Sequence, residues 1–267
     1  MKISLLQMDI AWHRVQENMA QAEMLMNQTP GADLYVLPEM WCTGFDVSPN
    51  EEALKQCAEG LEWMKRQARE RHTSVAGSLI FSADEAYDVC TEKVQPSAGC
   101  ANAFFLVDAD SRVQRYDKRH LFGYGGEDLH YLAGKKRVTM KAGEVTILPQ
   151  VCYDLRFPVA SRNHAQNPYD LIVYVASWPA SRQNAWDTLL RARAIENQCY
   201  VAGVNRVGND LKCHYEGGTA LIDPYGNAVF SLGKDAGAKA AELDLPRLAH
   251  FRNKFPVLND ADAFSLK

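Results

Sequence analysis

Cys152 has the most chemistry to offer, and two other reactive side chains stand in comparable surroundings. The segment Gln150-Val151-Cys152-Tyr153-Asp154-Leu155-Arg156-Phe157-Pro158 closes an apolar run at 145–151. Leu37-Pro38-Glu39-Met40-Trp41-Cys42-Thr43-Gly44-Phe45 closes another at 32–38, and Tyr116-Asp117-Lys118-Arg119-His120-Leu121-Phe122 follows the hairpin whose second strand is expected at 111–117. Singly, none carries a functional claim. A cysteine at a strand end is commonly a small buried hydrophobe, and a lone Glu or Lys a solvated charge. Together they form a set for nucleophilic acyl chemistry. A free thiol titrates near pH ~8.5 and attacks as the thiolate. It needs a base, and the oxyanion it creates needs a donor. On this reading Cys152 is the nucleophile and Glu39 the base, first for the thiol and then for water. Lys118 stabilises the oxyanion, helped by the backbone N–H of Tyr153. A Cys–His pairing with His120 or His164 as base is the mechanistic rival, and it leaves the Glu39 and Lys118 segments without a task.

These groups would have to be held by a rigid frame, and the chain alternates strand-like and helix-like stretches throughout. Apolar spacing predicts helices at 18–28, 51–71 and 186–198. Short apolar runs predict strands at 2–8, 32–38, 73–81, 145–151, 171–176, 199–205 and 240–243. Hairpins are expected at 103–107 with 111–117, around Asp108-Ala109-Asp110, and at 219–222 with 228–231, around Asp223-Pro224-Tyr225-Gly226. The Gly123-Tyr124-Gly125-Gly126 piece reads as a mobile loop. The pattern is that of an α/β protein with strands covered by helices. Strand ends are where such folds place reactive groups.

Composition narrows the partners. The 267 residues are 47% hydrophobic and 23% charged, with a net charge of −4. That balance argues against nucleic acid and anionic membrane, which favour basic surfaces. No apolar run approaches the roughly 18 residues of a membrane span, and the N-terminus lacks signal-peptide features. Seven cysteines without a C-x-x-C pair give no disulfide or zinc pattern, so reduced thiols and a cytoplasmic location are expected, with no metal and no cofactor. Cys57 and Cys199 fall on apolar faces. Cys90 and Cys100 fall in an irregular stretch and are expected to be exposed. Cys42, three residues from Glu39, is expected to line the pocket.

The Glu, Lys and Cys segments together resemble the motifs of the nitrilase superfamily, the carbon–nitrogen hydrolases. Ala192-Arg193-Ala194-Ile195-Glu196-Asn197 and Ile222-Asp223-Pro224-Tyr225-Gly226 extend the resemblance over nearly the whole chain. Trp41-Cys42-Thr43-Gly44-Phe45, Ser177-Trp178-Pro179-Ala180, the 202–208 run and the tail from Phe251 are similar to the omega-amidase branch. The resemblance implies one domain over 1–267 with an αββα sandwich of two sheets flanked by helices. It also implies a homodimer, with the tail from about 245 to 267 contributing contacts. The substrates it implies are a small amide and water: 2-oxo-dicarboxylic acid monoamides such as 2-oxoglutaramate and 2-oxosuccinamate, cleaved through a cysteine thioester. It places a second glutamate at Glu127, positioning the substrate or the lysine.

For the far carboxylate of such a substrate, Arg182 is the first choice, because a guanidinium meets a carboxylate bidentately. Phe122, Trp178 and Trp186 are candidate apolar walls, and Arg156 is expected to tie down its own turn through hydrogen bonds. The match departs from the family in the long 82–100 stretch, in Ala103 after the hairpin Asn102, in Val159 after Pro158, and at 215–220. The alternatives are another amidase of the superfamily, such as an N-carbamoyl amide hydrolase, a true nitrilase, or a non-catalytic scaffold on the same fold.

Overall fold

A computed structural model describes residues 1–83 and 99–265 of the chain. Cys90 and most of the irregular 82–100 stretch lie outside the described residues. Strand β1 (Lys2–Gln7) leads through helix α1 (Val15–Gln28) to β2 (Leu34–Val36). Helix α2 (Glu51–Arg71) then leads to β3 (Ser74–Ser82), β4 (Cys100–Val107) and β5 (Val113–Asp117). The second half begins with β6 (Met140–Ala142), β7 (Val145–Val151) and β8 (Leu171–Ala176), followed by α3 (Gln183–Asn197). Then come β9 (Tyr200–Asn205), β10 (Val207–Asn209), β11 (His214–Glu216), β12 (Ala220–Ile222), β13 (Ala228–Ser231), β14 (Gly237–Glu242) and α4 (Leu245–Lys254).

Two six-stranded sheets result, in the orders β14-β1-β2-β3-β4-β5 and β13-β12-β9-β8-β7-β6. Each has three parallel strands at its centre, β1/β2/β3 and β7/β8/β9, with antiparallel strands outside them. Parallel strands need both faces covered. Accordingly β8, Leu-Ile-Val-Tyr-Val-Ala, is buried along its whole length. Ile3, Leu5, Leu34, Val36, Phe104 and Leu106 of the first sheet share one core with Leu148, Val173 and Val204 of the second. On the first sheet's other face, Leu6, Tyr35, Val75 and Phe105 pack with Met19, Leu25, Leu61 and Met64 of α1 and α2. Trp186, Leu190 and Ala194 bring α3 onto the second sheet. The layers are α, β, β, α, as the motifs imply.

Local chemistry sets the boundaries. Helix α2 begins and ends where its pattern predicts. The Asn50 side chain accepts from the Ala53 N–H at 2.9 Å, Glu51 and Glu52 occupy the first turn, and Arg69 and Arg71 the last. Helix α1 starts three residues before the expected Asn18. That residue is buried inside the helix, and its side chain holds the Ala11 N–H, the Ala11 carbonyl and the Cys42 carbonyl. Periodicity does not reveal the short strands β6, β10 and β11, or α4. The last starts on Asp244, whose carboxylate accepts from the Arg247 N–H. The 123–126 glycine piece forms one short 3₁₀ turn whose C-cap, Gly126, has φ 83°.

Candidate active site

The three sequence-distant segments converge at the ends of their strands. Glu39 follows β2, Lys118 follows β5, Cys152 follows β7, and Glu127 comes from the loop after Lys118. Glu39, Lys118 and Glu127 are wholly buried, and Cys152 is 9% exposed. The chain turns sharply at both β2 and β7. Met40, next to Glu39, has φ 44° and Cys152 itself φ 46°. Left-handed backbone is costly for such residues and survives where the surroundings enforce it. Here Met40 is held by Ser78 Oγ, which accepts from its N–H at 3.0 Å. The Cys152 turn is held by Asp154, whose carboxylate accepts from the Val151 N–H, the Tyr116 hydroxyl and the His120 N–H. Asp154 thereby locks the Cys152 turn to the strand and loop that carry Lys118.

At the centre, Lys118 Nζ donates to Glu39 Oε1 at 3.0 Å and to Glu127 Oε1 and Oε2 at 3.0 and 2.8 Å. Glu39 Oε2 accepts from the Ser177 N–H at 2.8 Å, and Glu127 Oε2 from the Phe122 N–H at 2.7 Å. Burial alone pulls the lysine down. The carboxylates of Glu127 and then Glu39 outweigh it, so the ammonium is held well above its ordinary range. The Cys152 thiol is pushed the other way. Burial first, then Glu39 and Glu127, raise it, and only Lys118 pulls it down. Burial and the neighbouring acids favour the neutral form of the thiol, which lies beside Glu39, Lys118 and Glu127. Ionising the thiol alone would add a negative charge next to both acids. Passing its proton to Glu39 during attack leaves the net charge unchanged.

The thiol opens into a small cleft of about 50 Å³. Phe45, Phe122, Tyr153, Trp178, Pro179 and Tyr215 form its walls, with Ser177 and Cys213. Two guanidiniums line it. Arg156 lies over Trp178 at 4.9 Å and Arg182 over Phe122 at 5.3 Å, measured to the ring centroids. Among the described residues neither is paired with a carboxylate. Tyr153 is the second residue of the 3₁₀ turn that begins at Cys152, so its N–H is one of the first-turn donors without an intrahelical acceptor.

Several expectations change. Arg156 does not tie down its turn; Asp154 does that, with Arg193 donating to the Leu155 carbonyl at 2.6 Å, while Arg156 faces the cleft. Trp186 is no wall: it is buried behind Trp178 and donates to the Gly218 carbonyl. Cys42 lies in the helix-facing core with its sulfur 3.5 Å from that of Cys57, away from the lining. Cys100 is only partly exposed. His120 Nδ1 is engaged by Asp154 at 2.7 Å and its ring stacks on Phe157, while His164 sits against Phe264. The Cys–His rival therefore has no geometric counterpart among the described residues. Of the adjacent acids, Glu127 is buried in the cluster and Asp128 is exposed.

Sequence reasoning left Asn102, Phe45, Tyr215, Cys213 and the cleft role of Arg156 unassigned. Asn102 was within reach. In the hairpin Ala103 pairs with Asp117, which sets Asn102 opposite Lys118, and the Lys118 N–H donates to the Asn102 carbonyl at 2.9 Å.

Comparison with known proteins agrees with this geometry. A family model described as carbon-nitrogen hydrolase matches residues 2–253. The chain is 42% identical to the omega-amidase YafV of Yersinia enterocolitica over 268 residues, covering 100% of this chain and 98% of that protein. It is 32% identical to the 2-oxoglutaramate amidase of Bacillus subtilis over 262 residues, 97% and 96% of the two chains. Among solved structures, XC1258 from Xanthomonas campestris, a CN-hydrolase superfamily protein with an arsenic adduct in its active site, superposes with a TM-score of 0.87. It shares 36% identity, and the match covers 100% of this chain and 98% of that one.

Proposed function

The chain belongs to the carbon–nitrogen hydrolase family, and from that premise we propose that it is an omega-amidase, releasing ammonia from the terminal amide of 2-oxo-dicarboxylic acid monoamides such as 2-oxoglutaramate and 2-oxosuccinamate. One observation carries the substrate class. Two guanidiniums that face no carboxylate among the described residues, Arg156 and Arg182, share an otherwise largely apolar cleft with a thiol that is buried against an acid–ammonium–acid cluster. Buried or half-buried cations without partners call for an anionic ligand. A carboxylate with an adjacent oxo group offers acceptors to both forks. The amide at the other end is then directed to Cys152.

In the proposed mechanism, Cys152 Sγ adds to the amide carbon as Glu39 takes the thiol proton. The oxyanion forms near Lys118 Nζ and the Tyr153 N–H. Glu39 passes the proton to the departing nitrogen, the C–N bond breaks, and ammonia leaves a thioester on Cys152. Water adds through its oxygen to the thioester carbon as Glu39 takes its proton, the C–S bond breaks to release the acid, and Glu39 returns the proton to sulfur. Glu127 keeps Lys118 charged and aimed. Removing one such oxyanion donor typically costs about 3–4 kcal/mol of transition-state stabilisation.

An ammonia-release assay tests the reading with 2-oxoglutaramate, 2-oxosuccinamate, glutamine, asparagine and N-carbamoyl amino acids. Release from the oxo-acid amides far above the rest is expected. Release from carbamoyl compounds alone would overturn it in favour of a carbamoyl-amide hydrolase.

The proposal extends to a cytoplasmic homodimer of one-domain chains. No helix among the described residues is long and apolar enough to cross a membrane. Exposed Ile195, Tyr225 and Phe255 cluster where α3, the β12–β13 turn and α4 meet, with the Tyr225 ring tilted against Phe251, centroids 4.2 Å apart. Such a patch supports self-association, and light scattering on the purified protein would decide it by mass.

A further inference from the structure

A wholly buried amide side chain joins the two acids of the site. Asn102 Nδ2 donates to Glu39 Oε1 at 2.8 Å and to Glu127 Oε1 at 3.0 Å. Lys118 Nζ donates to the same two oxygens, each at 3.0 Å. Two donors and two acceptors thus alternate around a closed ring. The orientation of the amide is fixed by chemistry, since its oxygen would repel two carboxylates. The Asn102 Oδ1 atom has no partner among the described residues. The side chain's polar capacity is therefore spent on the two acids, at the cost of one buried acceptor left unsatisfied. A purely structural asparagine would satisfy both ends.

The ring addresses an electrostatic problem. Two carboxylates that share a buried site drive each other toward protonation, and a single ammonium neutralises only one charge. Each amide N–H bonds one acid and so favours its ionised form without bringing in a second cation, which would also ionise the thiol. The titratable groups facing the pair are Lys118, Cys152 and, beside Glu127, Tyr131.

We propose that Asn102 is a positioning residue that keeps Glu39 ionised as the base, by holding both acids on the donors of one amide nitrogen beside the Lys118 ammonium. The inference deepens the amidase reading and rests on Glu39 being the base.

The test is the pH profile of kcat/KM for wild type, Asn102→Leu, Asn102→Ser and Glu39→Gln, with melting temperatures for each. Loss of the amide donors makes the acids easier to protonate. In Asn102→Leu the acid limb should therefore move up by about one pH unit or more, roughly a tenfold loss at pH values below the limb. Activity should recover toward the alkaline side. Asn102→Ser, which keeps a small hydroxyl donor and is the milder change if the Leu variant does not fold, should show a smaller shift in the same direction. A uniform loss across pH, with the limb unmoved in the variants that fold, would overturn the role of Asn102. If Glu39→Gln turned over at the wild-type rate, the base assignment itself would fall. If Glu39→Gln is inactive and the Asn102 limb stays in place, only the positioning role fails.

Discussion

Replacing Arg156 and Arg182 by Met, one at a time, separates substrate recognition from structure. Each guanidinium lies on an aromatic ring of the cleft and, among the described residues, is paired with no carboxylate. Removing either breaks no ion pair in the free protein. What is lost there is one cation–π contact, about 0.5–1 kcal/mol at a partly exposed site, and Met keeps an apolar stem on the ring. With a carboxylate-bearing amide bound, each substitution removes a charge-assisted contact of about 1.5–3 kcal/mol. At about 1.4 kcal/mol per factor of ten, kcat/KM for 2-oxoglutaramate should fall about 10- to 100-fold per site. A neutral amide of similar length, such as butyramide, has no carboxylate to lose and should change less than about threefold. The assay is ammonia release from both amides with each variant, alongside thermal melting. Equal losses on both amides would mean that the arginines shape the cleft without reading charge. No loss on either would place the carboxylate elsewhere.

Glu127→Gln removes the carboxylate that does most to hold Lys118 charged. It should lower kcat by about 100-fold and stability by about 3 kcal/mol, measured by steady-state kinetics and urea unfolding. Gly134→Ala would place a Cβ 2.0 Å from the Asp117 carbonyl oxygen, against the peptide that leads into Lys118. An overpacking cost of about 1–3 kcal/mol and reduced turnover should appear together in melting and activity assays. Burial raises the thiols of Cys42, Cys152 and Cys199 above the ordinary thiol range. The folded protein therefore keeps protons that the unfolded chain releases. That stabilisation is present below the unfolded thiol range and is lost as pH rises above about 8.5, so urea midpoints should fall between pH 8 and 10.

Elements that bury a continuous face were legible from residue spacing. The 51–71 helix carries its own cap and charge signals, the run at 145–151 is mostly apolar, and that at 171–176 is apolar throughout. The three-residue strands β6, β10 and β11 were not, because they are too short to show a period and owe their existence to partners. The Glu, Lys and Cys segments stood out by their motifs, and the structure brings them into one cluster. Arg156 was misjudged because a cation in a turn has two uses, and only packing shows that Asp154 already does the bracing. Trp178 and Trp186 look alike in sequence, yet they sit on opposite sides of one ring contact, one facing the cleft and one the core. Asn102 stood out as the hairpin asparagine, but its place between the two acids needed the hairpin register, since on its own it is one polar residue in an apolar strand.

The most direct measurement mixes the enzyme with excess 2-oxoglutaramate, quenches in acid within one turnover, and maps the mass of each cysteine-containing peptide. The account predicts a transient acyl adduct on Cys152 alone, forming as ammonia is released and absent in Cys152→Ala. Ammonia release with no adduct, or an adduct on another cysteine, would contradict it.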